Sequence, residues 1–394
     1  MMGTKEIPKR EELVDYNYAV AGHEGTLCDA DGELFIKPCT AKEIEFYERA
    51  NAEHPEFSEL MPIYFGQMVL NDMTDMNSIN EQLPAVADHI STHMKEEVIR
   101  MAHQLPKPDA KDNVKWVPNK SKKIATNISL VLENAAYGYK RPNILDVKLG
   151  QRLWADDAPL EKKQRFDKIS QDTTHGSLGF RIAGMRVYRG SVDPKELDQE
   201  DYRIYDKDFG RVDVTKDNVL DSFRKFLFND SAGVDEELGK AVARAFMEEV
   251  KHVQEVLENE ESRMYSASLL FVFEGDGDAL RAAIDEASGS VTMSQKGTAA
   301  KGEAGGRSTA RVDSGIAMDE ATGELVMTAI DGVVDDDEEE DAGSDDENVP
   351  RIYCVKLIDF AHAQFTPGQG PDENNLKGVR SLVQIFEELS REDE

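Results

Sequence analysis

The chain has 394 residues, 40% of them hydrophobic, which is more than one average domain needs and enough for a sizeable buried core. Its formal charge of −32 argues against nucleic acid as a direct ligand, and its three dispersed cysteines, Cys28, Cys39 and Cys354, argue against a disulfide framework or a zinc site. No apolar run of about 18 residues occurs and the N-terminus lacks the order of a signal peptide, so a soluble intracellular protein without a transmembrane segment, and a monomer, is expected.

In chain order, residues 16–38 read as a hairpin, with arms at 16–27 and 33–37 around the turn chemistry of Asp29-Ala-Asp-Gly32. Thr40 caps a helix over 41–51, and residues 63–70 form a strand. A Lys- and Pro-rich loop occupies 105–123, and the β-branched run 124–132 is a strand that breaks at Glu133-Asn-Ala-Ala-Tyr137. Leu238, Val242, Phe246, Val250, Val253 and Leu257 recur at spacings of four and three, which predicts a long amphipathic helix over 234–259. A strand over 264–273 follows.

Composition then changes. Residues 276–349 hold 20 acidic and 5 basic side chains among Gly, Ser and Ala, and end in runs of Asp and Glu. Such a tract cannot offset its chain entropy by burying apolar surface and is expected to be a disordered, solvated tether, with the patch 325–330 as its one apolar stretch. Order resumes with a strand over 352–360 and a helix over 374–389.

The most informative stretch is Pro142-Asn-Ile-Leu-Asp-Val-Lys-Leu-Gly150. Side chains alternate along a strand, so Asp146 and Lys148 share one face while Leu145, Val147 and Leu149 share the other. An acid and a base on one face of a strand ending in glycine suit a phosphate and ribose site. Asp359 ends a second apolar strand, where a carboxylate is costly to desolvate unless it meets a metal or donors. Residues 159–170 carry Lys162, Lys163, Arg165 and Lys168 on a segment whose Pro159 suits a helix start. On a helical wheel Arg165 and Lys168 are neighbours, whereas Lys162 falls with Phe166 and Ile169, so two or three cations could reach one polyanion.

The pattern Pro-x-x-x-Asp-x-Lys-x-Gly resembles the signature of the inositol polyphosphate kinase family. Three further blocks resemble it in order: Ser177-Leu-Gly-Phe-Arg-Ile-Ala-Gly-Met-Arg-Val-Tyr188, Ser266-Ala-Ser-Leu-Leu270 and Ile358-Asp-Phe-Ala-His362. Within the family the short connection from Gly150 to Ser177 is similar to that of the multikinases, particularly fungal ones. The resemblance implies an α+β, two-lobed fold distantly like protein kinases and ATP-grasp enzymes, with a disordered acidic insert. The expected divisions are an ATP-binding N-lobe over 1–135, a catalytic C-lobe over 136–275, the insert over 276–349 and a C-lobe continuation over 350–394.

The resemblance also implies ATP and Mg²⁺ as cofactors, an inositol polyphosphate as substrate, and conversion of the 1,4,5-trisphosphate through the tetrakisphosphate to the pentakisphosphate. It gives Asp146 and Lys148 catalytic roles, and Lys37, Glu133, Ala135, Asp146 and Asp359 to the nucleotide, with Asp359 as metal ligand. Lys148, Lys162, Lys163, Arg165, Lys168, Lys207 and His362 go to the substrate. Hexakisphosphate kinases are also similar, and a scaffold role through the acidic tract, meeting transcription factors or other basic proteins, is compatible with kinase activity. Fungal relatives imply nuclear as well as cytoplasmic residence. A protein kinase would need both His-Arg-Asp and Asp-Phe-Gly motifs, and the chain is expected to have neither.

Overall fold

The computed structural model describes residues 12–16, 18, 20, 25–69, 126, 128–297, 316–318, 325–327 and 351–391. Its first unit comprises β1 (Val14–Asp15), β2 (Leu27–Cys28), β3 (Leu34–Pro38), α1 (Ala41–Glu53), α2 (Pro55–Glu59), β4 (Tyr64–Val69) and β5 (Ile128–Glu133). The strands form an antiparallel sheet in the order β1-β2-β3-β5-β4. The turn at Asp29 forms as expected, closed by Gly32 N–H on the Asp29 carbonyl at 3.1 Å and by Leu34 N–H on Asp29 Oδ1 at 2.9 Å.

Of the arm expected over 16–27, residues 17, 19 and 21–24 lie outside the described residues, and among the rest Leu27 is in a strand, β2. Tyr18 lies against the second sheet, 5.1 Å from the Arg186 guanidinium. There Gly184 lets the Val20 carbonyl approach, since a Cβ would stand 2.3 Å from it. Thr40 caps α1 as expected, its hydroxyl accepting from Glu43 N–H, and the helix buries Ile44, Phe46, Tyr47 and Ala50.

The second unit begins with β6 (Pro142–Leu149), α3 (Leu160–Asp172), α4 (Thr174–Leu178), β7 (Phe180–Tyr188), β8 (Tyr202–Tyr205), α5 (Val219–Leu227) and α6 (Glu236–Asn259). It continues with β9 (Ser262–Met264), β10 (Ser268–Glu274), α7 (Gly277–Gly297), β11 (Ile316–Met318), β12 (Leu325–Met327), β13 (Tyr353–Ile358), β14 (Ala363–Phe365) and α8 (Glu373–Ser390). The main sheet runs β13-β10-β6-β7-β8, every pair antiparallel, with the signature strand β6 at its centre. All six apolar residues read as one face of α6 are buried. The core is continuous between the two units: Phe46 of α1 stacks on Phe360 and Phe365 at 4.9 and 4.7 Å.

Two expectations are corrected. The strand over 264–273 is two strands, broken where Ser266 takes a left-handed φ of 64°. The disordered insert does not begin at 276, because α7 starts there, capped by Asp276 Oδ1 on Ala279 N–H at 3.1 Å, and buries Leu280, Ala283 and Ile284. Charge averaged over 74 residues hid this local spacing of three and four. Residues 325–327 of the apolar patch pair with β11 as a short antiparallel ladder. The rest of the insert, and the loop expected over 105–123, lie outside the described residues. No helix among the described residues is long and apolar enough to cross a membrane.

Candidate active site

Along β6 one face reads Ile144, Asp146, Lys148, and steps of about 7 Å take it from apolar to anionic to cationic. Its apolar end is continuous with the turn after β5. Ile144 packs with Ala135, Ala136 and Val272, flanked by Tyr18, Val20 and Leu270. The opposite face carries Leu145, Val147 and Leu149, all fully buried, so the strand cannot rotate without exposing the core.

Asp146 is buried, and its Oδ1 has no hydrogen-bond partner among the described residues. Burial pushes its carboxyl above the ordinary range; Lys148, the Ser268 hydroxyl and Arg181 oppose the shift, and the Asp359 carboxylate adds to it. Lys148 faces Ser268 on β10 and Arg181 on β7. Its ammonium donates to the Ser266 carbonyl at 2.7 Å and the Ser268 hydroxyl at 3.4 Å, and stands 3.6 Å from Asp359 Oδ2.

Asp359 follows β13 with a left-handed φ of 71°, a conformation that Asp and Asn tolerate better than other side-chain-bearing residues. That turn brings its carboxylate to Lys37 of β3, with Nζ to Oδ1 at 2.7 Å. Lys37 also meets Glu43 at 2.8 Å. Burial opposes charge on Lys37, but the Asp359 and Glu43 carboxylates outweigh it and raise the pKa. Glu43 is itself buried and accepts from Phe360 N–H at 3.1 Å, so it fastens α1, β3 and the chain after β13 together.

Sequence reasoning missed Glu43. Thr40-x-x-Glu43 spells a capping box, which would turn the carboxylate back toward Thr40 rather than toward Lys37. Ile144 and Arg181 were also missed. Arg181 is a buried cation whose pKa is pushed down to about 10 by burial and by neighbouring Arg211, and its Nη1 donates to the Ile182 and Lys207 carbonyls. Only the register that sets it opposite Lys148 reveals its place.

The remaining candidates separate. Lys162 lies near His362: burial lowers the imidazole pKa, and Lys162 and Lys42 lower it further against the pull of Asp157. Arg165 and Lys168 are exposed on α3. Lys163 turns away to the preceding loop, donating to the Asp156 carbonyl at 2.8 Å. Lys207 is exposed, and its carbonyl rather than its ammonium reaches Arg181. Glu133 ends β5 with its carboxylate on Arg351 at 3.0 Å, and Ala135 is buried in the adjoining turn.

The expectation that the chain has no Asp-Phe-Gly is corrected: Asp208-Phe209-Gly210 occurs, without a His-Arg-Asp partner, and opens a π-helical turn over Phe209–Asp213. Gly210 packs there against the Ile182 backbone.

The donor set fits a divalent cation shared with phosphates. Mg²⁺ needs only one or two carboxylates when phosphate oxygens complete its shell, and Asp359 with the unpartnered oxygen of nearby Asp146 supplies them. No group of three or more His, Cys, Asp or Glu able to hold a metal by itself occurs among the described residues.

The family model for inositol polyphosphate kinases matches residues 129–387. The chain is 30% identical to the inositol polyphosphate multikinase of Saccharomyces cerevisiae over 94% of this chain and 96% of that one. It is 26% identical to human inositol hexakisphosphate kinase 1 over 67% of this chain and 53% of that protein. Among solved structures, the S. cerevisiae inositol phosphate multikinase in complex with ADP and Mn²⁺ superposes with a TM-score of 0.54 at 25% identity, covering 91% of this chain and all of that one. The chain belongs to the inositol polyphosphate kinase family.

Proposed function

We propose that this inositol phosphate kinase is a multikinase, transferring the γ-phosphoryl group of ATP to inositol 1,4,5-trisphosphate and onward through the tetrakisphosphate to the pentakisphosphate. The carrying observation is that Asp359 gathers two cations from different sheets, Lys37 at 2.7 Å and Lys148 at 3.6 Å, beside the buried Asp146. Phosphoryl transfer asks little covalent chemistry of a protein; it needs anions brought together and charge stabilised.

In this reading the apolar patch around Ala135 and Ile144 receives the base, the turn at Glu133 supplies backbone groups, and Asp146 meets the ribose and the inositol hydroxyls. Lys37 would hold phosphate oxygens, and Asp359 would hold Mg²⁺, which would supply neutralisation of the charge that develops on them. Lys148, fixed by the Ser266 carbonyl, stabilises the oxygens of the transferring group in the transition state. Lys162, Arg165, Lys168 and His362 receive the substrate phosphates. Lys163 and Lys207 drop out of the set, given where their side chains lie.

Identity to the yeast multikinase along nearly the whole chain supports this reading over hexakisphosphate kinase activity, whose human representative matches two thirds of the chain. We further propose that the acidic tract meets basic protein partners and that the protein works in both nucleus and cytoplasm. The test is to incubate purified protein with ATP, Mg²⁺ and either inositol trisphosphate or hexakisphosphate, beside Lys148→Ala. Tetrakis- and pentakisphosphate from the wild type are expected, with turnover of the variant down about a thousandfold and its melting temperature little changed. Product from hexakisphosphate alone would reassign the enzyme.

A further inference from the structure

Helix α3, which carries the substrate cations, is barely held by the core: Ser170 is its one buried residue, near its C-terminal end. An exposed basic helix anchored at one end needs something else to fix its angle. The loop between β6 and α3 supplies a ladder of planar and cationic groups. The Arg152 guanidinium lies 4.8 Å from the Tyr265 ring and 3.9 Å from the Trp154 ring, and Lys163 of α3 lies 4.7 Å from Trp154. Trp154 Nε1 donates to Asp167 Oδ1 of α3 at 2.6 Å, and Lys163, one turn earlier on that face, donates to the Asp156 carbonyl.

The base of the ladder is fastened to the catalytic strand. Ser266 Oγ donates to the Leu153 carbonyl at 3.0 Å, and the Ser266 carbonyl accepts from Lys148 at 2.7 Å. Asn374 Oδ1 receives the N–H groups of Gln151 and Arg152 at 2.9 and 2.8 Å. A continuous run of contacts therefore leads from the Lys148 ammonium through Ser266 and Leu153 to Trp154 and onto Asp167.

We infer that Trp154 and Asp167 are positioning residues: their hydrogen bond and the stack beneath it set the angle of α3, and hence the spacing between its cations and Lys148. This rests on the kinase reading only for its consequence. The pair itself touches no substrate; it fixes where a polyanion with several phosphates can seat, and so acts on substrate affinity and on the distribution of products.

The experiment compares the wild type with Trp154→Phe, which keeps the ring and loses the donor, with Asp167→Ala, and with Asp167→Asn, which keeps an acceptor oxygen. Amide hydrogen exchange reports the clamp without any assay. Exchange over 160–169 should accelerate several-fold in Trp154→Phe and Asp167→Ala, by about the same factor in the double variant, and remain near wild type in Asp167→Asn. Kinetics report the consequence: KM for the inositol phosphate should rise about three- to tenfold, about what the loss of one ordinary hydrogen bond is worth. KM for ATP and kcat should stay within about twofold, and products should shift toward the less phosphorylated species.

Unchanged exchange in α3 overturns the clamp. Accelerated exchange with both KM values and kcat falling together also overturns it, because that pattern is general loosening. A wild type inactive on every inositol phosphate sinks the multikinase reading, while the exchange comparison still decides the clamp.

Discussion

Lys37 and Asp359 stand 322 positions apart in the chain and 2.7 Å apart in space. Between them they join the central strand of one sheet to the end of the outermost strand of the other, and Glu43 holds the lysine from the far side. The two carboxylates on Lys37 are not equivalent. Asp359 is part-exposed at 31%, whereas Glu43 is 1% exposed.

That asymmetry separates activity from stability. Asp359→Asn keeps a residue that tolerates the left-handed backbone and leaves Lys37 paired with Glu43, so phosphorylation should fall at least about a hundredfold with melting nearly unchanged. Glu43→Gln removes the buried partner and should cost about 3 kcal/mol of stability. Chemical denaturation beside a turnover assay checks both; equal losses of stability in the two variants would contradict the assignment.

A pH dependence follows from His175, which is fully buried with its ring Nδ1 against the Gly150 carbonyl at 2.7 Å. Burial first, then the Arg181 charge, push its pKa down to about 3. The unfolded chain takes up this proton near pH 6.5, so the folded state binds fewer protons below that value. The contribution is complete above about pH 6.5 and is lost as pH falls toward 3, at up to about 1.4 kcal/mol per pH unit. Between pH 7 and 5 the denaturation midpoint of the wild type should fall more steeply than that of His175→Asn; parallel slopes would show that His175 is not the group.

Gly378 lies inside α8, where alanine ordinarily stabilises a helix by up to about 1 kcal/mol. Here a Cβ would stand 2.4 Å from the Gly179 carbonyl oxygen, which also receives the Gly150 N–H at 2.8 Å. Gly378→Ala should therefore destabilise by about 1–3 kcal/mol. A melting temperature at or above wild type would mean that α8 can move aside.

Truncation distinguishes the two parts of the segment after β10. Removing 276–349 deletes the buried Leu280, Ala283 and Ile284 and should lower the melting temperature by several degrees. Removing only 331–349, which holds the main Asp and Glu runs, should leave phosphorylation and melting unchanged while weakening capture of a basic protein partner. If the shorter deletion also impairs turnover, the acidic runs take part in the reaction.

Where local pattern decides the outcome, the sequence was a good guide. The six apolar positions of α6, the cap at Thr40 and the shared face of Asp146 and Lys148 all follow from periodicity and capping chemistry. The two-lobed architecture and the assignment of Lys37 and Asp359 to one nucleotide site came from family resemblance, because no local rule joins positions so far apart. Glu43 was masked by a capping pattern, and Arg181 by a strand in which every residue is buried, so that a cation there has no periodic signature. Lys163 was counted with the substrate cations because charge density on a helix does not say which face a neighbouring loop occupies.

Strands β10 and β13 are direct sheet neighbours, with Phe273 opposite Tyr353, so everything between them is topologically the loop of one hairpin. Closing such a loop becomes dearer only slowly with length, by about 0.6 kcal/mol for each doubling. The stretch beyond α7 is thus a natural docking bay for engineering, where a fluorescent reporter or an affinity module could be spliced in while the strand ends stay stitched together.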